Sequence, residues 1–410
     1  MTELEKLKRD LADLAVRAGV NLQKGQRLLL TCPVECADFA RLCVKAAYDA
    51  GCSEVLMRWS DDSIKRMKYL YAADEVFDRI DPWDADRLNG LSEEGAAFLT
   101  IHSEDPESLS DVDADRIKRS QISSRKALRT YRSKTMGSEC QWCVISVPTK
   151  AWACAVFPEL SEEAAVERLW NEILAACRVD GGDAIKNWKE HSEELHRHAD
   201  ILNGYDLKTL RYRNSAGTDV TLDLPEGHFW GGGAEKSTSG VLFSPNIPTE
   251  EIFTLPDRNS VNGTLVATKP LSLDGTLVEG FSFRVEKGKI VEVHADRGED
   301  TLRNAISVDE GASYFGEVAL VPHDSPISVS GVLFLNTLFD ENASCHFAFG
   351  EAYPCIRGAE NMSREELRER GANSSLTHVD FMIGSPDLEI TGITRDGREV
   401  AVFRNGNFAF

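Results

Sequence analysis

A chain of 410 residues is longer than one hydrophobic core ordinarily supports, which predicts two domains or three. Its 42% hydrophobic and 28% charged residues describe a soluble globular protein and exclude a disordered one. The net charge of −21 argues against nucleic acid as a partner, because phosphate backbones are bound by cationic surfaces.

The first residues, Met1-Thr2-Glu3-Leu4-Glu5-Lys6-Leu7, hold no apolar stretch of signal-peptide length. Nowhere do roughly eighteen apolar residues run together, so no membrane partner is expected and the cytoplasm is the expected compartment. Ten cysteines are too dilute for a disulfide framework and are expected as free thiols there. Cys140 and Cys143 form a lone Cys-x-x-Cys. A structural zinc site requires a second pair, and Gln141 to Val147 reads as a buried strand instead.

In chain order, Leu4, Leu7, Leu11, Leu14 and Ala15 recur at helical spacing and predict an amphipathic helix over the first twenty residues. After a turn at Gly25, Arg27 to Cys32 reads as an apolar strand, Asp38 to Ala50 as a helix ending near Gly51, and Val55 to Trp59 as a second strand. That order predicts a βαβ unit and a parallel sheet. A helix from Ile64 to Ala72, a strand from Ala97 to Ile101, a charged helix from Asp115 to Ser133 and the Trp142 strand continue it. No Gly-x-Gly-x-x-Gly follows the first strand, so the sheet does not announce a dinucleotide site.

Helices from Glu162 to Cys177 and Asp183 to Leu202 follow; their charged faces, with His191, His196 and His198, read as solvated surface. From Leu207 strands and turns take over. Leu210 to Asn214 and Asp219 to Leu224 flank a Ser215-Ala216-Gly217 turn, and Phe281 to Val285 and Ile290 to His294 flank Lys287-Gly288, each pair a hairpin. One helix is expected from Glu299 to Ala305. Gly231 to Thr238 resembles a phosphate-binding loop, but Glu235 stands where glycine must precede the lysine, which excludes nucleotide binding. The expected architecture is an α/β N-terminal domain with a mainly parallel sheet (residues 1–204). An α+β, largely β C-terminal domain carrying a metal site (residues 205–410) follows it.

The last third gathers carboxylates and imidazoles: Glu251, Glu317, Glu341 with His346, and His378 with Asp380. These are side chains that hold borderline divalent cations. In a strand, His378 and Asp380 share a face while Val379 and Phe381 pack on the other; a satisfied His–Asp hydrogen bond at a strand end is the alternative reading. Glu341 and His346, five residues apart, occupy different faces of an ideal helix, so joint ligation requires a turn there, and Asp340 or Asn342 capping a helix is the alternative. Glu251 and Glu317 each border an apolar strand-like run, where a glutamate is paired, protonated or metal-bound if buried, and unremarkable if exposed.

Five segments in this order carry a resemblance: Glu250-Glu251-Ile252-Phe253-Thr254 with Pro256, Gly316 to Pro322, Leu338 to His346, Gly350-x-Ala352-Tyr353-Pro354, and His378 to Gly384. Together they resemble the thermophilic-type metalloaminopeptidases, the aminopeptidase T and aminopeptidase S (PepS) family, over the whole chain. The resemblance implies a cytoplasmic homodimeric exopeptidase acting on peptides with a free amino terminus. It implies two divalent ions, zinc, cobalt or manganese, held by Glu251, Glu317, Glu341, His346, His378 and Asp380. Glu317 is assigned as the bridge and a catalytic residue, Glu317 or Glu341 as the carboxylate that carries the proton to the leaving amine, and Tyr353 as a neighbouring catalytic residue. Two further readings stay open: another dinuclear metal hydrolase, such as an amidohydrolase or phosphoesterase, and a non-catalytic metal-binding relative.

Overall fold

Leu28-Leu29-Leu30 is apolar at every position, the pattern of a strand covered on both faces, and it forms the middle of β1 (Arg27–Pro33). In the computed structural model, which describes residues 2–410, β1 lies between β2 (Glu54–Ser60) and β3 (Ala97–Ile101), with β4 (Trp142–Ile145) beyond β3. Every pairing in this sheet is parallel, as the βαβ pattern predicts. Leu29, Leu56, Phe98 and Trp142 pack against Leu88, Leu91 and Tyr131, while the alternate residues Leu28, Leu30, Leu99 and Cys143 are buried as well.

The helices accompanying the sheet begin with α1 (Glu3–Leu14), α2 (Ala37–Asp49) and α3 (Asp62–Tyr71). Hydrophobic periodicity assigns no element to Pro82–Glu93, yet this segment is α4. Proline in the first turn is its local signal, because the ring's missing N–H is not needed there. The single helix expected over 115–133 is two, α5 (Ala114–Ala127) and α6 (Arg129–Met136), parted at Leu128, where φ −96° and ψ 22° leave helical geometry. Three more helices follow: α7 (Lys150–Val156), α8 (Glu162–Ala176) and α9 (Ala184–Tyr205). Among the described residues no helix is long and apolar enough to cross a membrane.

The chain divides into two compact units. The first holds the residues up to Glu193 with Gly233–Thr249 and Phe334–Leu338; the second holds Glu194–Gly232, Glu250–Leu333 and Phe339–Phe410. His191 departs from the expected solvated surface: it is buried in the first unit, its Nε2 lying 2.7 Å from the Thr249 carbonyl oxygen and its ring edge-on to Trp188.

Strands dominate the remaining chain. They are β5 (Leu207–Arg213), β6 (Asp219–Asp223), β7 (Gly231–Gly232), the two-residue pair β8 (Glu235–Lys236) and β9 (Leu242–Phe243), and β10 (Ile252–Thr254). Then come β11 (Asn262–Val266), the small hairpin β12 (Leu271–Leu273) and β13 (Thr276–Val278), β14 (Ser282–Glu286) and β15 (Lys289–His294). After α10 (Glu299–Ala305) follow β16 (Phe315–Leu320), β17 (His346–Gly350), β18 (His378–Met382), β19 (Glu389–Thr394), β20 (Glu399–Arg404) and β21 (Asn407–Phe408).

Two antiparallel sheets of the second unit result, one of eight strands in the order β15-β14-β11-β6-β5-β19-β20-β21 and one of five in the order β18-β17-β16-β10-β7. Leu210, Tyr212 and Phe283 of the larger sheet and Phe347, Phe349 and Phe381 of the smaller share one core, with Tyr212 edge-on to Phe347 at 5.2 Å and Phe283 to Phe381 at 5.1 Å. Each sheet therefore has one face committed to apolar packing.

Candidate metal centre

The charged residues lie on the face of the five-stranded sheet that turns away from this core. Period-two alternation produces most of that arrangement. In β17, Phe347 and Phe349 enter the core while His346 and Ala348 point away; in β18, Phe381 enters it, Val379 packs against it, and His378 and Asp380 point away.

Strict alternation fails in β16, where Phe315 and Val318 are both core residues although three apart. The register slips between Phe315 and Glu317, a bulge at Gly316 that lets Phe315 face the core without taking Glu317 with it. A side chain at Gly316 would collide with the Glu351 carbonyl oxygen, so glycine is required.

Register sets small residues beside the charged ones. Glu317 pairs with Ala348 and Ala348 with Asp380, while Phe253 pairs with Ala319 and Ala319 with His346. The alanines leave space above the sheet that larger side chains would fill.

Into this space the chain brings two sets of ligand atoms. One atom from each of Glu251, Glu317 and His346 lies within 4.8 Å of the other two, and the same holds for Glu317, His378 and Asp380. Glu317 belongs to both sets. The His346 Nε2 is 3.0 Å from a Glu251 carboxylate oxygen, and the His378 Nε2 is 3.4 Å from oxygens of both Glu317 and Asp380.

Glu341 opens a single 3-10 turn (Glu341–Ala343) between the short helix Thr337–Asp340 and β17, the turn that its spacing from His346 demands. It belongs to neither set of three, but its carboxylate feels the charges of Asp380, Glu251, His346 and Glu317. Tyr353, half-buried beyond the end of β17, stands edge-on to His378 at 5.3 Å and 5.4 Å from Phe253.

Both imidazoles are oriented by backbone. The His346 Nδ1 donates to the carbonyls of Glu341 (3.0 Å) and Ser344 (3.1 Å), and the His378 Nδ1 donates to that of Glu351 (2.7 Å). A carbonyl only accepts, so Nδ1 carries a proton and Nε2 faces the carboxylates, the arrangement that second partners impose on metal-ligating histidines.

Electrostatics in the pocket follow from burial and crowding. Burial opposes the charge of His346, but its hydrogen bond to Glu251 and the nearby carboxylates push its pKa up to about 10. Burial likewise opposes the charge of His378, and Asp380 raises it well above the usual imidazole range. Glu317 is pushed up to about 7 by burial, against the hydrogen bond from His378 and with the charge of Glu251. Burial and the charges of Asp380 and Glu251 raise Glu341 well above the carboxylate range. For Asp380 burial works upward, yet His378 holds it below its ordinary value.

The upward shifts of His346, His378, Glu317 and Glu341 express a crowding of negative charge that a cation would balance. Carboxylate oxygens with imidazole nitrogens, on rigid strands and with Nδ1 already committed, fit a divalent cation.

Sequence reasoning passes over Glu351 and reads Asn342 only as an alternative helix cap. Glu351 is buried, accepts from the Ser375 N–H and lies 3.4 Å from the Arg364 guanidinium while its carbonyl holds His378. Asn342, fully buried, caps no helix and links the Glu250 backbone to the Glu341 carboxylate. Neither has a local signal beyond its position inside the resembling segments.

The family model described as Thermophilic metalloprotease (M29) matches residues 4–408. Aminopeptidase 2 of Geobacillus stearothermophilus is 46% identical over 411 residues, covering 100% of this chain and 99% of its own. Aminopeptidase T of Thermus aquaticus is 42% identical over 402 residues, covering 97% of each. Among solved structures, wild-type AmpT from Thermus thermophilus superposes with a TM-score of 0.90 at 39% identity, covering 99% of this chain and 100% of that one. A 2,5-dihydroxypyridine dioxygenase from Pseudomonas putida, 12% identical with a TM-score of 0.51, covers 100% of this chain and 98% of its own and shares the fold alone.

Proposed function

This chain belongs to the thermophilic metalloprotease family (M29), and from that premise we propose that the acidic face of the five-stranded sheet is the dinuclear metal centre of an aminopeptidase. The chain is a metalloprotease of the exopeptidase kind, removing residues from the amino end of peptides. The observation that carries the two-ion reading is the double membership of Glu317 in two sets, one buried and one half-buried, each with an imidazole. Glu251, Glu317 and His346 would hold one ion and Glu317, His378 and Asp380 the other, with Glu341, on the turn before His346, as a sixth ligand beside them.

Four carboxylates then balance two divalent charges, which lets the centre be buried without net charge. When bound, the ions supply Lewis-acid polarisation of the peptide carbonyl and lower the pKa of a water molecule. Glu317 takes the proton of the attacking water and passes it to the departing amine. Tyr353 donates a hydrogen bond to the oxygen that becomes negative as the carbonyl is attacked, a role supported by its contact with His378. The acidic cluster receives the substrate's free amino group, which restricts cleavage to the first peptide bond.

Zinc, cobalt or manganese suits this donor set, and a cytoplasmic homodimer goes with the family reading; light scattering of the purified protein checks the dimer. The central test is chelation. The purified protein is expected to hold two divalent ions per chain, to release amino-terminal residues from short peptides, to lose that activity on exhaustive chelation, and to regain it with cobalt, zinc or manganese. Activity that survives removal of the metal would sink the reading.

A further inference from the structure

Asn342 is fully buried, and both ends of its amide are engaged. Oδ1 accepts the Glu250 N–H at 2.7 Å, and Nδ2 donates to a Glu341 carboxylate oxygen at 3.4 Å. A backbone N–H only donates, so the atom facing Glu250 must be the amide oxygen, and the amide's NH2 must face Glu341. The orientation is thereby determined by chemistry. Its backbone carbonyl in turn accepts from the Ser325 hydroxyl at 3.4 Å, which anchors the turn.

Two chain segments distant in sequence meet at this side chain. One delivers Glu251, the residue after Glu250; the other delivers Glu341, the residue before Asn342. No strand pairing joins them, since Glu251 precedes β10 and Glu341 lies in a single 3-10 turn. The Glu341 carboxylate is buried, so its orientation is set by the groups packed around it. The Asn342 donor held against one of its oxygens is one such group.

We propose that Asn342 is a positioning residue of the metal centre, setting the Glu341 carboxylate in place and tying it to the segment that carries Glu251. The proposal rests on reading the acidic face as a metal centre. Asn342 touches no reacting atom and acts through Glu341.

Asn342→Asp separates this role from a purely structural one. The aspartate keeps an oxygen for the Glu250 N–H, so the structural tie survives, but it replaces the donor facing Glu341 with an acceptor of like charge. Cobalt(II) titrated into metal-free full-length protein, against a competing chelator, reads affinity, and the visible absorption of bound cobalt reads ligand geometry. Circular dichroism and the Tm of the metal-free protein report folding.

The expected result is a folded variant whose cobalt affinity falls about 10–100-fold, as partners of metal ligands typically cause, with altered cobalt absorption. Asn342→Ser, uncharged and smaller, is expected to show the same fall and keeps the test open if the aspartate does not fold. Wild-type affinity and absorption in a folded variant overturn the proposal, and so does failure of both variants to fold, which would assign Asn342 to the fold alone. Failure of the wild-type protein itself to bind cobalt would instead overturn the reading of the metal centre.

Discussion

The parallel sheet of the first unit and the five-stranded sheet of the second use buried strands in opposite ways. Leu28, Leu29 and Leu30 of β1 are all apolar and all buried, so both faces of that strand disappear into packing. Phe347 and Phe349 of β17 and Phe381 of β18 supply one apolar face, while the other bears His346, His378, Asp380 and Glu317. A strand apolar at every buried position has no side chain left there for chemistry. One that alternates can hold charge rigidly, because the aromatic face fixes the backbone from which each charged side chain rises.

Breaking the charged face should have the largest effect. Glu317→Gln keeps the size of the side chain but removes the carboxylate common to both ligand sets. Turnover is expected to fall by more than about a thousandfold with bound metal reduced below two ions per chain, while circular dichroism stays native. Near-normal kcat in that variant would remove Glu317 from the centre. Next comes Tyr353→Phe, which deletes one donor and leaves the aromatic contact with His378. A fall in kcat of roughly 100-fold, with a much smaller change in KM, is expected from steady-state kinetics, and an unchanged kcat would exclude the tyrosine from the reaction.

The smallest effect on catalysis belongs to the leucine-rich sheet. Leu29→Ala empties a packed position and is expected to cost about 2–5 kcal/mol of stability by denaturant titration while metal content and kcat/KM stay near wild type. Lost metal binding in the folded Leu29 variant would show that the two sheets do not divide the labour in this way.

Much of the fold is written locally. The β1 run, the Ala97–Ile101 strand and the Glu299–Ala305 helix are legible because apolar spacing and flanking turns are properties of neighbouring residues. So is the shared face of His378 and Asp380, which needs only the two-residue period of a strand. The break at Leu128 and the helix begun by Pro82 are less legible, since one depends on a single backbone geometry and the other on a single proline.

The sequence by itself determined which side chains are available and, for each strand, which of them share a face, because the pleat is local. It also carried the family resemblance, through five short segments in fixed order. Only the tertiary structure decided that these segments meet. Strand register put Ala348 between Glu317 and Asp380, the bulge at Gly316 turned Glu317 away from the Phe315 core, and Asn342 joined Glu250 to Glu341. Register and bulges are settled by pairing between distant strands, and no window of neighbouring residues contains that information.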